Sequence, residues 1–183
     1  MKNRFLSVWF ASAVLLAGVS VWSTVLITVE EALDLVFPEA TTTRQTLFLS
    51  DEQRSLAAKE SGAEISSSLV TRYEAKNEQG EVLGWAYLDT HRVRTLPETL
   101  MIVVDADGVV QRVEVVTFRE PLEYMPREGW YRQYDGQDLD DDLALKREIR
   151  PVTGATLTAR ATTDAVRRIL AIHEAVAENG AGP

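Results

Sequence analysis

The run TLMIVVDADGVVQRVEVVTF, Thr99 to Phe118, decides the fold. Six apolar or β-branched residues lead into Asp105-Ala106-Asp107-Gly108, a turn sequence. Beyond it, Val113 and Val115 alternate with Arg112 and Glu114, the period-2 pattern of a half-buried strand. The stretch predicts strand, tight turn, strand. A second pair lies upstream: Ser68 to Lys76 and Val82 to Leu88, joined by Asn77-Glu78-Gln79-Gly80. Two hairpins imply a largely antiparallel sheet.

Helical signals flank the strands. Glu30 to Glu39 predicts a short amphipathic helix that ends ahead of Pro38. Ala40 to Leu49 is Thr-rich and reads as extended. Ser50 and Gln53 form a capping-box pair, so a helix is expected over 51–61, closed by Gly62. A long helix is expected over 158–178, with Thr162, Val166, Ile169, Leu170, His173 and Val176 on one stripe. Helices around an antiparallel sheet define an α+β domain.

The chain has 183 residues and a formal charge of −9. From Phe5 to Val29 no residue is charged. At 1.5 Å per residue, ~20 apolar residues cross a bilayer core, so this run is long enough to span. Lys2 and Arg4 precede it, and Glu30, Glu31 and Asp34 follow. The positive-inside rule then leaves the N-terminus in the cytoplasm. A signal peptide would have a shorter apolar core and a small-x-small cleavage site, which is missing here. The expectation is a transmembrane anchor over 1–30 and a domain over 31–183 in the periplasm or outside. The chain would sit in the cytoplasmic membrane as a single-pass protein. Removing Lys2 and Arg4 from the charge leaves −11 on residues 30–183.

Composition narrows the chemistry. Cysteine is absent, which excludes disulfides, thiolate metal sites, iron–sulfur clusters and a cysteine nucleophile. Two histidines are too few for a multi-histidine metal site, and no metal is expected. The acidic balance argues against nucleic acid. No Gly-x-Ser-x-Gly elbow supports a hydrolase. Asp105 to Gly108 lacks the later ligands of a calcium loop, and Asp138 with Asp140 to Asp142 reads as a solvated acidic face. His173 reads as a core or boundary residue, and His91 has no visible partner.

The stretch with chemical content is Pro151-Val152-Thr153-Gly154-Ala155-Thr156-Leu157-Thr158. Small residues surround Thr156, so a bulky group can approach its hydroxyl. Gly154 can adopt backbone angles closed to other residues. The helix start that follows offers free N–H groups and the positive end of a dipole, which suit a phosphate. The alternative is an ordinary loop whose threonines cap a helix.

Thr153-Gly154-Ala155-Thr156-Leu157-Thr158 ahead of a helix resembles the flavinylation motif of the FMN-binding domain family. Members include flavin-carrying subunits of the sodium-pumping NADH:quinone oxidoreductase and of Rnf electron-transport complexes. The resemblance implies FMN as cofactor, with Thr156 as acceptor of a phosphoester made by a flavin transferase that uses FAD. It implies Thr153, Gly154, Ala155, Leu157 and Thr158 as the frame. Also similar to the family are the hairpin Ile102–Val116 and the aromatic loop of Trp130, Tyr134 and Gly136. Two departures stand out. The family's acidic residue three positions before the first Thr is Arg150 here. Of the family's His-Glu-Thr-Pro-Gly loop, Glu120 and Pro121 remain.

A flavin ring needs flat apolar platforms; Tyr124, Trp130 and Tyr134 are candidates, and Trp85 reads more as core. Positive charge near a reduced flavin, or on the phosphate, could come from Arg150 or Arg160. The function expected is electron relay between membrane or periplasmic redox partners, with no proton-abstracting catalytic residue. The alternative is a sensory or assembly module with no covalent flavin.

Overall fold

The computed structural model describes residues 24–180. In chain order the elements are β1 (Thr24–Val25), α1 (Val29–Val36), β2 (Thr41–Phe48), α2 (Asp51–Ser61), β3 (Leu69–Lys76) and β4 (Val82–Arg92). β5 (Pro97–Asp105), β6 (Val110–Phe118), α3 (Glu128–Tyr131) and α4 (Thr156–Gly180) follow. The expected α+β architecture is present. One antiparallel sheet runs β1-β6-β5-β4-β3-β2, five full strands with the two-residue β1 on one edge. The two hairpins are therefore parts of a single meander, because β4 and β5 also pair, from Gly84↔Asp105 to Arg92↔Pro97.

Strand alternation sends side chains to two faces. On one face Tyr87, Leu100, Ile102, Val104 and Val113 pack with Ala165, Val166, Ile169, Leu170 and Ile172 of α4, and α2 packs beside α4. On the other face Met101, Val103, Ala86 and Val116 meet Ala32, Leu33 and Val36 of α1. β6 cannot alternate strictly along its length. Its register shifts between Thr99↔Thr117 and Leu100↔Val115, and Val116 turns to the α1 face.

Local chemistry sets the helix ends. Ser50 Oγ accepts the Gln53 N–H at 3.1 Å, and the Gln53 side chain accepts the Ser50 N–H at 2.9 Å. Gly62 closes α2 in the left-handed region, φ +66°. Thr28 and Glu31 make the same reciprocal cap on α1. Thr24 and Val25 pair with Phe118 and Thr117, so the described fold already includes residues ahead of the boundary drawn at 30. The expected anchor otherwise falls on residues 1–23, outside the described residues. No helix of the described residues is long and apolar enough to cross a membrane.

Candidate functional site

The chain enters the site through a tight turn. The Ala155 N–H donates to the Val152 carbonyl at 3.2 Å, and Gly154 sits at φ +84°. That angle at the third turn position is the type II arrangement, which strongly favours glycine. α4 starts at Thr156, two residues earlier than expected. The acceptor candidate is thus the first residue of the helix and not part of the loop. Its hydroxyl donates to the Val152 carbonyl at 3.1 Å, and the residue is exposed.

Ala155 precedes the helix without a side-chain oxygen to cap it, and it is buried. As the first amides of α4, the N–H groups of Leu157 and Thr158 lack an intrahelical acceptor. Thr158 is buried, and its hydroxyl donates to the Tyr124 carbonyl at 2.6 Å. This bond ties the helix start to the segment after β6. Thr153 and Leu157 are exposed.

Tyr124, Arg94 and the run Gly154 to Thr158 line a cleft of about 170 Å³. The Arg94 guanidinium lies over the Tyr124 ring, 4.8 Å from its centroid. Arg94 belongs to the β4–β5 turn, and Glu120 fixes that turn. Its Oε1 accepts the N–H groups of Arg94, Thr95 and Leu96 at 3.2, 2.6 and 2.8 Å, and the Thr95 hydroxyl at 3.3 Å. Burial pushes the Glu120 carboxyl up, but these donors outweigh it and hold it below the usual range. The Glu120 retained from the family loop therefore acts on the site by placing Arg94, a residue the sequence pattern gave no reason to select.

The other expected platforms lie elsewhere. Tyr134 is fully buried, its hydroxyl within 2.8 Å of Thr163 Oγ1. It is a core residue with no face open to a flavin ring, a correction to its reading as a platform. Trp130 is half-buried and meets Tyr131 and Tyr134 edge-on. Its indole N–H donates to the Arg150 carbonyl at 2.7 Å, so it pins the segment that enters the turn and does not line the cleft. Gln133 holds the Arg150 N–H at 2.9 Å. The Arg150 and Arg160 side chains are exposed and outside the cleft. Trp85 packs on the core, 4.9 Å from the His173 ring. His173 is buried and shares a 2.9 Å hydrogen bond with Tyr87.

His91, expected to stand alone, sits in a buried ionic cluster. Its Nδ1 is 2.8 Å from Asp89, and its Nε2 is 3.3 Å from Glu98, directly across the β4–β5 ladder. Arg168 of α4 closes on Asp89 with two bonds of 2.8 and 2.9 Å. Glu98 is fully buried. Burial works against charge on the His91 ring, but the two carboxylates win and raise it to about 9. Among the described residues, no group of three or more acidic or histidine side chains is arranged to hold a metal.

An exposed hydroxyl, a helix start, a guanidinium and an aromatic ring line one cleft, a set that suits a phosphate-bearing aromatic ligand. Residues 96–171 match the model of the FMN-binding domain family. The chain carries a domain of that family, and FMN is the cofactor it indicates. The match runs from β5 to most of α4 and includes the turn at Gly154. No curated protein and no solved structure matches the chain. The residues present fit FMN. Thr156 and the start of α4 would suit its phosphate, and Tyr124 lines the same cleft. The cleft is smaller than the ~300–1,000 Å³ of a typical cofactor pocket, so it suits the phosphate end and leaves the ring partly outside.

Proposed function

We propose that this chain is a membrane-anchored, extracytoplasmic flavoprotein that relays electrons between membrane and exported redox partners. The observation that carries the reading is the exposed Thr156 hydroxyl at the first position of α4. A flavin transferase can reach it there without unfolding the domain. In the maturation step the Thr156 Oγ–phosphorus bond forms and the pyrophosphate bond of FAD breaks. AMP leaves, and the hydroxyl proton is lost.

In the mature protein Thr156, the Leu157 and Thr158 amides and Arg94 would hold the phosphate. Tyr124 would support the ring. FMN, once bound, supplies one- and two-electron chemistry. The chain itself binds, orients and keeps one ring edge accessible. The uncharged run ahead of Thr24 supports anchoring, and the acidic balance supports docking to basic partners in a salt-dependent manner.

Arg150 at the family's acidic position favours a second reading, a flavin-binding module without the covalent bond. Co-expression of the full chain with a flavin transferase separates the two. Flavin fluorescence that survives denaturation on a gel, and that vanishes in Thr156→Val, is the expected result. A dark band from yellow native protein supports the second reading. Colourless native protein sinks both.

A further inference from the structure

The described chain starts at one particular end of the sheet. Thr24 pairs with Phe118, Phe118 with Glu98, and Glu98 with His91. That row closes the sheet on the side of the β4–β5 turn. From Thr24 the chain runs inward: Val25 pairs with Thr117, and the Leu26 N–H donates to the Val116 carbonyl at 3.0 Å. The chain ahead of Thr24 therefore joins the domain at the β4–β5 turn end. Residues 5–23 of the uncharged run lie in that part of the chain. As a helix they would measure about 28 Å, close to the ~30 Å of a bilayer core, so an anchor uses all of them and leaves no linker.

The same end carries the flavin cleft. Arg94 belongs to the β4–β5 turn, and Tyr124 lies past the end of β6. α4 supplies the rest of the lining. Its Arg168 bonds Asp89, two residues in from the end row, and its later His173 bonds Tyr87, deeper in the sheet. Thr156 lies twelve residues before Arg168. Twelve helical residues rise about 18 Å, whereas two strand residues span about 7 Å. The first turns of α4 therefore overhang the sheet where Thr24 sits.

The surface of this end differs from the rest of the molecule. Leu122 and Leu157 are 53 % and 50 % exposed. Across residues 92–97 and 119–128, the exposed charges are Arg92, Arg94, Arg119 and Arg127 against Glu123 and Glu128. This cationic excess belongs to a chain of charge −9. The opposite end, formed by the β3–β4 and β5–β6 turns, exposes Glu78, Glu81 and Asp107. Apolar side chains beside arginines suit a lipid interface, where leucines enter the headgroup layer and guanidinium groups meet phosphates.

We propose that the β4–β5 turn end is a membrane-contact surface that rests on anionic phospholipid headgroups, with Leu122, Arg119 and Arg127 at the contact. The flavin cleft then opens on the lipid side of the domain. This rests on the reading of residues 5–23 as an anchor.

Fluorescence quenching in the full-length protein, reconstituted into phosphatidylcholine–phosphatidylglycerol vesicles with a nitroxide on the lipid headgroup, tests it. The chain has no cysteine, so Leu122→Cys and Gln79→Cys each accept a single bimane label. Gln79 is exposed in the β3–β4 turn, about 27 Å away along the strands. Quenching at position 122 should exceed that at 79 at least twofold. Arg119→Gln/Arg127→Gln should at least halve the excess, and an unchanged thermal midpoint confirms that the variants fold. Equal quenching at the two positions, in protein that floats with the vesicles and resists carbonate extraction, overturns the contact while the anchor stands. Protein that carbonate releases, or that does not float, overturns the anchor and the contact with it. An excess unchanged in the double variant overturns the assignment to headgroup phosphates.

Discussion

Glu120 Oε1 accepts the Thr95 N–H at 2.6 Å across 25 residues of sequence, and through that bond a residue after β6 positions a residue after β4. Glu120 does not itself line the cleft. It fixes the backbone of the turn that carries Arg94 over Tyr124. A carboxylate that accepts several backbone N–H groups makes charge-assisted bonds, stronger than neutral ones.

Glu120→Ala should therefore act at a distance. Three backbone donors lose their acceptor, at a cost of ~1–3 kcal/mol in stability. Arg94 is released, and retention of non-covalent flavin should fall by severalfold. Glu120→Gln keeps one acceptor oxygen and should recover most of both properties. Thermal midpoints and flavin retained on gel filtration measure the two effects. A Glu120→Ala protein that keeps both would show that the turn holds itself.

Much of this arrangement is legible in the sequence where interactions are local. Ser50, Gln53 and Gly62 specify both ends of α2, because each cap spans four residues or fewer. The Asp105–Gly108 turn is equally local, with Asp105 Oδ1 accepting the Asp107 N–H at 2.9 Å. What pattern does not reveal depends on register and packing. His91 and Glu98 become neighbours only once β4 and β5 pair, and Arg168 reaches Asp89 across 79 residues. Tyr124 and Tyr134 are chemically alike, yet one lines the cleft and the other fills the core. Thr156 reads as loop because a Thr-Gly-Ala-Thr string has no helical periodicity. The turn at Gly154 nevertheless delivers it to the first helical position.

Gly84 marks a close backbone approach between β4 and β5. It sits where the β3–β4 register shifts, at φ +156°, and an added Cβ would lie 2.5 Å from the Val104 carbonyl oxygen. A backbone atom cannot move aside cheaply. Gly84→Ala should destabilise the domain by ~1–3 kcal/mol or more, the cost of overpacking. Gly129, in α3, has open space around it, and Gly129→Ala should be near neutral. Urea unfolding of the two variants beside the parent decides the matter. Equal midpoints would mean that β4 shifts freely past β5.

The ionic cluster gives stability a pH dependence with a definite sign. His91 is raised from 6.5 to about 9 because Asp89 and Glu98 outweigh its burial. The folded state thus holds this proton more tightly than the unfolded chain does. The stabilisation is fully present below pH 6.5 and is lost as the pH rises to 9. Glu98, raised chiefly by burial, acts in the same direction from a lower pH. Asp89 is lowered: burial opposes the shift, and His91 and Arg168 impose it. Its contribution is lost only in acid, outside this window. Asp164, near Arg168, is raised by burial. At 1.36 kcal/mol per unit, with allowance for coupling among these groups, unfolding free energy should fall by ~1–3 kcal/mol across the window. Urea midpoints taken from pH 6.5 to 9 should decline in the parent and decline far less in His91→Gln. A midpoint that holds steady or rises with pH in the parent would mean that His91 is neutral in the folded protein, and that Asp89 is balanced by Arg168 alone.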